Sequence, residues 1–269
     1  MKKRKIIALI CLGLGLTCGA IGIYKYIEEK NSLKDYTVIF EGVDKYTDNP
    51  KEIYIDKNDN NSVVKYVDDK KTESTVEIPI DFAALQQQNP DVYAWIQVPG
   101  TEVDYPILQS GNDNTYYLNH TIDGEEKKEG AIFTENYNTK TFEDPNTVIY
   151  GHDMKNGSMF QSIHKYMDRS FFDNNRDIVI YMPDQILRYK IFAAYLTDNR
   201  HLLMNYNFWS KDEYQQYLNS IFSMRDMNAF IDTSTEVTTE DKIITLSTCY
   251  AGISTQRYLV QAVLVSIEK

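Results

Sequence analysis

The chain has 269 residues, 42% of them apolar and 25% charged, with 39 acidic against 28 basic side chains and a formal charge of -11. That length holds one substantial domain plus appendages. The acidic balance argues against nucleic acid as a partner, because phosphate binding needs a basic face.

The N-terminus opens with the basic tail MKKRK, residues 1–5, followed by IIALICLGLGLTCGAIGIY, residues 6–24, with no charge in it. As a helix these 19 residues would be about 28 Å long, close to the ~30 Å hydrocarbon core of a bilayer. Basic residues ahead of the span predict a cytoplasmic N-terminus and an extracellular remainder, a single-pass anchor in the cell membrane. A cleaved signal peptide and a lipoprotein cut before Cys18 are the rival readings. Apolar sequence continuing after TCGA disfavours the first, and Gly15 where a leucine is expected disfavours the second. Residues 25–77 are polar and charge-rich, too poor in apolar side chains for a core of their own, and are predicted to form a stalk.

The folded domain is predicted over 78–269. DFAALQQQNPDVYAWI suggests a helix interrupted at Asn89-Pro90, with a second turn from Asp91. VDYPIL suggests an edge-type strand, and GAIFTE and TVIYGHD two further strands. In SMFQSIHKYMD, Phe160, Ile163 and Met167 share one face of a short helix. DIVIYM and LRYKIFAAYLT form a predicted hairpin joined at PDQI. A long connection follows, holding the helix SKDEYQQYLNSIF. There Ser210 and Glu213 fit a capping box, and Tyr214, Tyr217, Leu218, Ile221 and Phe222 recur at helical spacing. KIITLSTC and QRYLVQAVLVSI are the last two strands. Many short strands with few helices predict a mainly β domain, a closed or nearly closed barrel with added helices.

Three residues stand at strand ends: His152 in VIYGHDM, Cys249 in ITLSTCY and Arg257 in STQRYLV. A hairpin joining the strands of Cys249 and Arg257 would bring those two together. An imidazole beside a thiol favours the thiolate or stores its proton, and a guanidinium remains cationic and steadies a developing oxyanion. Taken singly, each has a plainer explanation: a core cysteine, a surface histidine, a solvated arginine. His120, His164 and His201 are assigned such structural roles, His164 as half-buried packing. No cofactor is expected and no metal site, since one extracellular thiol and scattered histidines lack ligand spacing. All four histidines precede Cys249, so the Cys-then-His order of papain-like peptidases is not available.

TLSTC with Arg257 eight residues beyond its cysteine, and YGH with its histidine 97 residues before it, resemble a sortase. NPDVYAWIQVPGTEVDYPILQ, YYLNH, GAIF, VIYGHDMKNGSMF and the helix ahead of the cysteine strand resemble class B in particular, over residues 78–269. The resemblance implies an eight-stranded β-barrel and transpeptidation at the Gram-positive cell surface. It implies that Cys249 attacks a threonine carbonyl in the C-terminal sorting signal of a surface protein, that His152 protonates the leaving amine, and that Arg257 assists the oxyanion. Ser247, the serine of the motif, would line the substrate groove. An amine of the peptidoglycan precursor or cross-bridge, or a pilin lysine in some systems, would then resolve the thioester. A thiol peptidase that only hydrolyses and a non-enzymatic anchored binding module are the alternatives.

Overall fold

The structure, a computed structural model, describes residues 76–269 with the exception of Ala251, all within one compact unit, Ser74–Lys269. The basic tail, the apolar span 6–24 and residues 25–75 of the expected stalk lie outside the described residues. Among the described residues no helix is long and apolar enough to cross a membrane, which corrects the expectation of a single-pass anchored protein. The longest described helix, Lys211–Phe222, has 12 residues. At 1.5 Å per residue it covers about 18 Å, well short of the hydrocarbon thickness.

Nine strands form one sheet: β1 (Val92–Gln97), β2 (Asp104–Leu108), β3 (Ile132–Thr134), β4 (Asn146–Tyr150), β5 (Asp177–Tyr181), β6 (Ile186–Asp198), β7 (Phe230–Ile231), β8 (Ile243–Tyr250) and β9 (Ile253–Glu268). Their order is β5-β1-β2-β3-β4-β8-β9-β6-β7, and a further β5–β6 pairing closes eight of them into a barrel, with β7 appended to β6. The expected mainly β domain and its eight-stranded barrel are therefore present. Closure removes the edge strands that an open sheet would expose. Inside lie Ile96, Ile107, Ile149, Ile180, Ile191, Leu246 and Val260, all inaccessible to solvent.

Helix α1 (Phe82–Gln88) starts at Asp81, whose carboxylate accepts from the Ala84 N–H at 2.9 Å, and it ends before Asn89-Pro90 as expected. The second helical turn expected from Asp91 is instead strand β1. Its run VYAWIQ is rich in β-branched and aromatic residues and is paired on both sides, with β2 and β5, so sheet pairing overrides local helical spacing. Strand β2 is likewise not an edge. It tolerates Pro106 because β3 reaches only Ile107 and Leu108, leaving no ladder partner on that side for the N–H that proline lacks.

The expected helix around Phe160 is a 3-10 segment, Gln161–Met167, followed by a short helix α2 (Arg169–Asn174). Two more helices, α3 (Leu202–Asn205) and α4 (Lys211–Phe222), occupy the connection between β6 and β8. Ser210 caps α4 by accepting from the Glu213 N–H at 3.4 Å, while the Glu213 carboxylate turns to the Asn207 N–H at 3.2 Å, so the capping box is half formed. Tyr214, Tyr217, Leu218 and Ile221 bury the predicted face against Phe192, Val148, Leu259 and Val263. Helix α4 thus packs on the outer face of β4, β8, β9 and β6.

A polar ladder crosses that covered face. Thr245 Oγ1 donates to Asn146 Oδ1 at 2.9 Å, and Gln261 Nε2 donates to Thr245 Oγ1 at 2.9 Å and to Tyr217 Oη at 2.6 Å. Buried polar groups joined this way fix the register of three strands.

Arg176, just ahead of β5, fastens β7 to the barrel. It donates to the Ile191 carbonyl at 2.6 Å and pairs with half-buried Asp232. Burial alone would push the Asp232 carboxyl up. Hydrogen bonds from Ser234 and Thr235 and the Arg176 guanidinium override it and hold the group well below the usual carboxylate range. A depressed folded value contributes stability above the unfolded pKa of about 3.9, and that contribution is lost as pH falls toward the folded value. Replacing Asp232 by Asn is expected to flatten the acid limb of the stability curve below about pH 4. Thermal unfolding between neutral pH and pH 2 checks this, and an unchanged acid slope would refute it.

Candidate active site

The site follows from the period-two alternation of strands. On β8, Ile244 and Leu246 point into the barrel, which leaves Ile243, Thr245, Ser247 and Cys249 on the outer face. On β4 that face carries Asn146, Val148 and Tyr150, and His152 follows two residues on. On β9 it carries Val263, Gln261, Leu259 and Arg257. Strands β4 and β8 run parallel with Tyr150 opposite Ser247, and the Gly151 N–H donates to the Ser247 carbonyl at 3.2 Å. Strands β8 and β9 are antiparallel with Cys249 directly opposite Arg257. Helix α4 covers this face lower down but not at its end, where a cavity of about 210 Å3 opens.

His152, Cys249, Arg257 and Ser247 all line that one cavity. Cys249 is partly exposed and unpaired as a thiol. Ser247 is buried at the cavity wall. His152 places Nε2 at 2.6 Å from the Leu118 carbonyl. A carbonyl only accepts, so Nε2 carries the hydrogen and Nδ1 is the nitrogen left to take up or give a proton. Arg257 donates to the Gln256 carbonyl at 2.9 Å, and its positive charge acts on the Tyr150 hydroxyl.

The backbone that carries His152 is confined. A Cβ on Gly151 would fall 2.5 Å from Ile132 Cδ1 and 2.6 Å from Phe160 Cγ, both in the packed interior. The Leu118 carbonyl is held from behind by Gly130, whose φ is +54° and whose added Cβ would lie 2.7 Å from that oxygen. A β-carbon cannot be accommodated there, so glycine is required.

The same cavity holds a group that inspection of the sequence missed. His201 Nε2 lies 2.7 Å from Glu135 Oε2, and the Tyr150 hydroxyl donates to that oxygen at 3.0 Å. Glu135, Tyr150 and His201 all line the cavity, so His201 keeps the structural role expected for it, as a partner of Glu135 in the cavity wall. Burial, then the Glu135 carboxylate, pushes the Tyr150 phenol far above its ordinary range, and it stays a donor. The pair joins the end of β3 to the start of α3, a long-range contact that no local spacing reveals.

His120 and His164 are as expected. His120 stacks on Tyr116 with ring centres 4.0 Å apart. His164 is half-buried and packs edge-on against Tyr258 and Tyr250. Burial lowers its affinity for a proton, with Asp153 at 3.8 Å opposing.

Comparison with known proteins places this arrangement. The model of the sortase domain family matches residues 96–265. Sortase B of Listeria monocytogenes serovar 1/2a is 36% identical over 173 residues, 64% of this chain and 68% of that protein. Among solved structures, sortase B from B. anthracis in complex with AAEK1 is 34% identical at a TM-score of 0.62, over 72% of this chain and 88% of that one. The Staphylococcus aureus sortase B-substrate complex is 30% identical at a TM-score of 0.60, over 69% and 84%. A partly exposed thiol at a barrel rim, on a chain with these likenesses, defines a cysteine transpeptidase. The chain belongs to the sortase family, in its class B.

Proposed function

We propose that the chain cleaves a C-terminal sorting signal of surface proteins and joins the retained part to an amino group of peptidoglycan, through a thioester on Cys249. The observation that carries this reading is the convergence of Cys249, His152 and Arg257 on one cavity. The Cys249 thiolate attacks the carbonyl carbon of a threonine in the signal. The resulting oxyanion is steadied by the Arg257 guanidinium. His152, protonated at Nδ1, gives that proton to the departing amine, the C–N bond breaks and the thioester remains. An incoming amine then attacks the thioester, gives up a proton to Nδ1 of His152 and displaces the thiolate. The enzyme thus returns to its starting protonation state.

Ser247, buried in the wall beside Cys249, lines the path of the bound peptide. A substrate complex has been solved for the S. aureus relative, sortase B, which supports a substrate-binding site on this fold.

The test is incubation of the full chain with a library of sorting peptides, with and without a small primary amine, followed by mass analysis. An amide adduct of the cleaved peptide is the expected product. Free acid alone, even at high amine concentration, would mark a hydrolase and overturn the transfer step. Recovery of uncleaved peptide throughout would overturn the whole reading.

A further inference from the structure

A second cleft of about 440 Å3 lies between the β3–β4 connection and the segment 203–213. Its lining takes up where that of the catalytic cavity ends, at Leu202 and Leu203. His201 and Leu202 line the first, Leu203 and Tyr137 line the second, and the Tyr137 ring meets His201 edge-on at 5.6 Å.

Large exposed apolar side chains gather along this path. Eight are exposed among the described residues. Leu118, 44% exposed, lines the catalytic cavity, and Tyr137 (54%), Met204 (68%) and Trp209 (73%) line the second cleft. Such concentration marks a recognition surface, since scattered single exposures are the ordinary case. The cleft also holds an unmet donor. Asn146 is 1% exposed and lines it. Its Oδ1 accepts from Thr245, while its buried Nδ2 has no hydrogen-bond partner among the described residues. A buried amide hydrogen without an acceptor is costly, and a bound carbonyl would supply one.

Resting on the proposed peptide substrate, we propose that this cleft is an accessory subsite for the stretch of substrate polypeptide that flanks the sorting signal. An extended chain is the occupant that fits. The line from His152 to Asn146 along β4 runs beneath helix α4, where Val148 is fully buried, so the bound chain passes from the catalytic cavity into the second cleft along His201, Leu202 and Leu203, which line the two in turn. There a main-chain carbonyl accepts from Nδ2, and an apolar or aromatic side chain rests between Trp209 and Met204.

The experiment compares two peptides with the full chain: the signal selected from the library, and the same signal flanked by eight residues on each side. The wild type is expected to cleave the longer peptide about tenfold better in kcat/KM, mostly through KM. Trp209→Ala and Met204→Ser, both at exposed positions, are expected to abolish that advantage while leaving the short peptide at its wild-type rate. An advantage that survives both substitutions overturns the subsite, as does turnover without any length dependence. A shift confined to the KM of a soluble muropeptide acceptor would overturn it in favour of a glycan site. Failure of the wild type to cleave either peptide overturns the proposed function together with this inference.

Discussion

Cys249→Ala is expected to abolish acyl capture and to lower turnover by at least about 10^4-fold, the scale on which loss of an activated nucleophile is felt. The same substitution is expected to move the melting temperature by little. Cys249 is partly exposed at the rim of a cavity rather than enclosed in the barrel, so removing its sulfur leaves no sealed void and incurs only a small transfer cost. Two measurements check this: the mass of the protein after exposure to a cleavable peptide, and thermal unfolding of both forms. A thioester adduct surviving in the alanine variant would remove Cys249 from the mechanism. A large drop in melting temperature would mark the thiol as packing.

Gly151→Ala is expected to damage both stability and turnover, though the residue carries no reacting atom. Its new methyl would lie within 2.5–2.6 Å of Ile132 and Phe160. Phe160 is fully buried and Ile132 nearly so, so neither can swing into solvent. Overpacking of this kind typically costs about 1–3 kcal/mol. The alternative to repacking the core is displacement of the chain at Gly151, and that displacement passes to His152, the next residue. A proton-transfer group, the role proposed for His152, loses on the order of 10^2 in rate when moved by about 1 Å. The variant should therefore unfold earlier and turn over more slowly, with the loss in kcat greater than any change in KM. Wild-type unfolding and wild-type kinetics together would show that the glycine is incidental.

Much of this site was legible in the sequence because it is built from strands with a clear alternation. ITLSTCY carries Ile244 and Leu246, and RYLVQAV carries Tyr258, Val260 and Ala262, at alternate positions, and a hairpin between them implied that Cys249 and Arg257 meet; they are opposed in register. The β5–β6 hairpin was equally plain. The errors share a physical cause, namely long-range pairing. VYAWIQ follows a proline-broken helix and contains an alanine, yet it becomes a strand because β2 and β5 flank it. Strand β7 has two residues and exists only through β6 and the Arg176–Asp232 pair. The place of His201 was hidden, because its partner Glu135 and its neighbour Tyr137 follow β3, four places from β6 in the sheet order.

The three strands that bear His152, Cys249 and Arg257 are side by side, β4-β8-β9, although the connection between β6 and β8 intervenes in the chain. The ladder sets Cys249 opposite Arg257, and the Gly151–Ser247 bond ties the backbone ahead of His152 to the same strands, whereas residues 199–242 contribute only Asn199, Arg200, His201 and Leu202 to the cavity wall. Swapping that segment between relatives should change which polypeptides are admitted while the bond-making apparatus stays intact. A transpeptidase built this way keeps its reacting strands apart in sequence from the segment that borders its cavity.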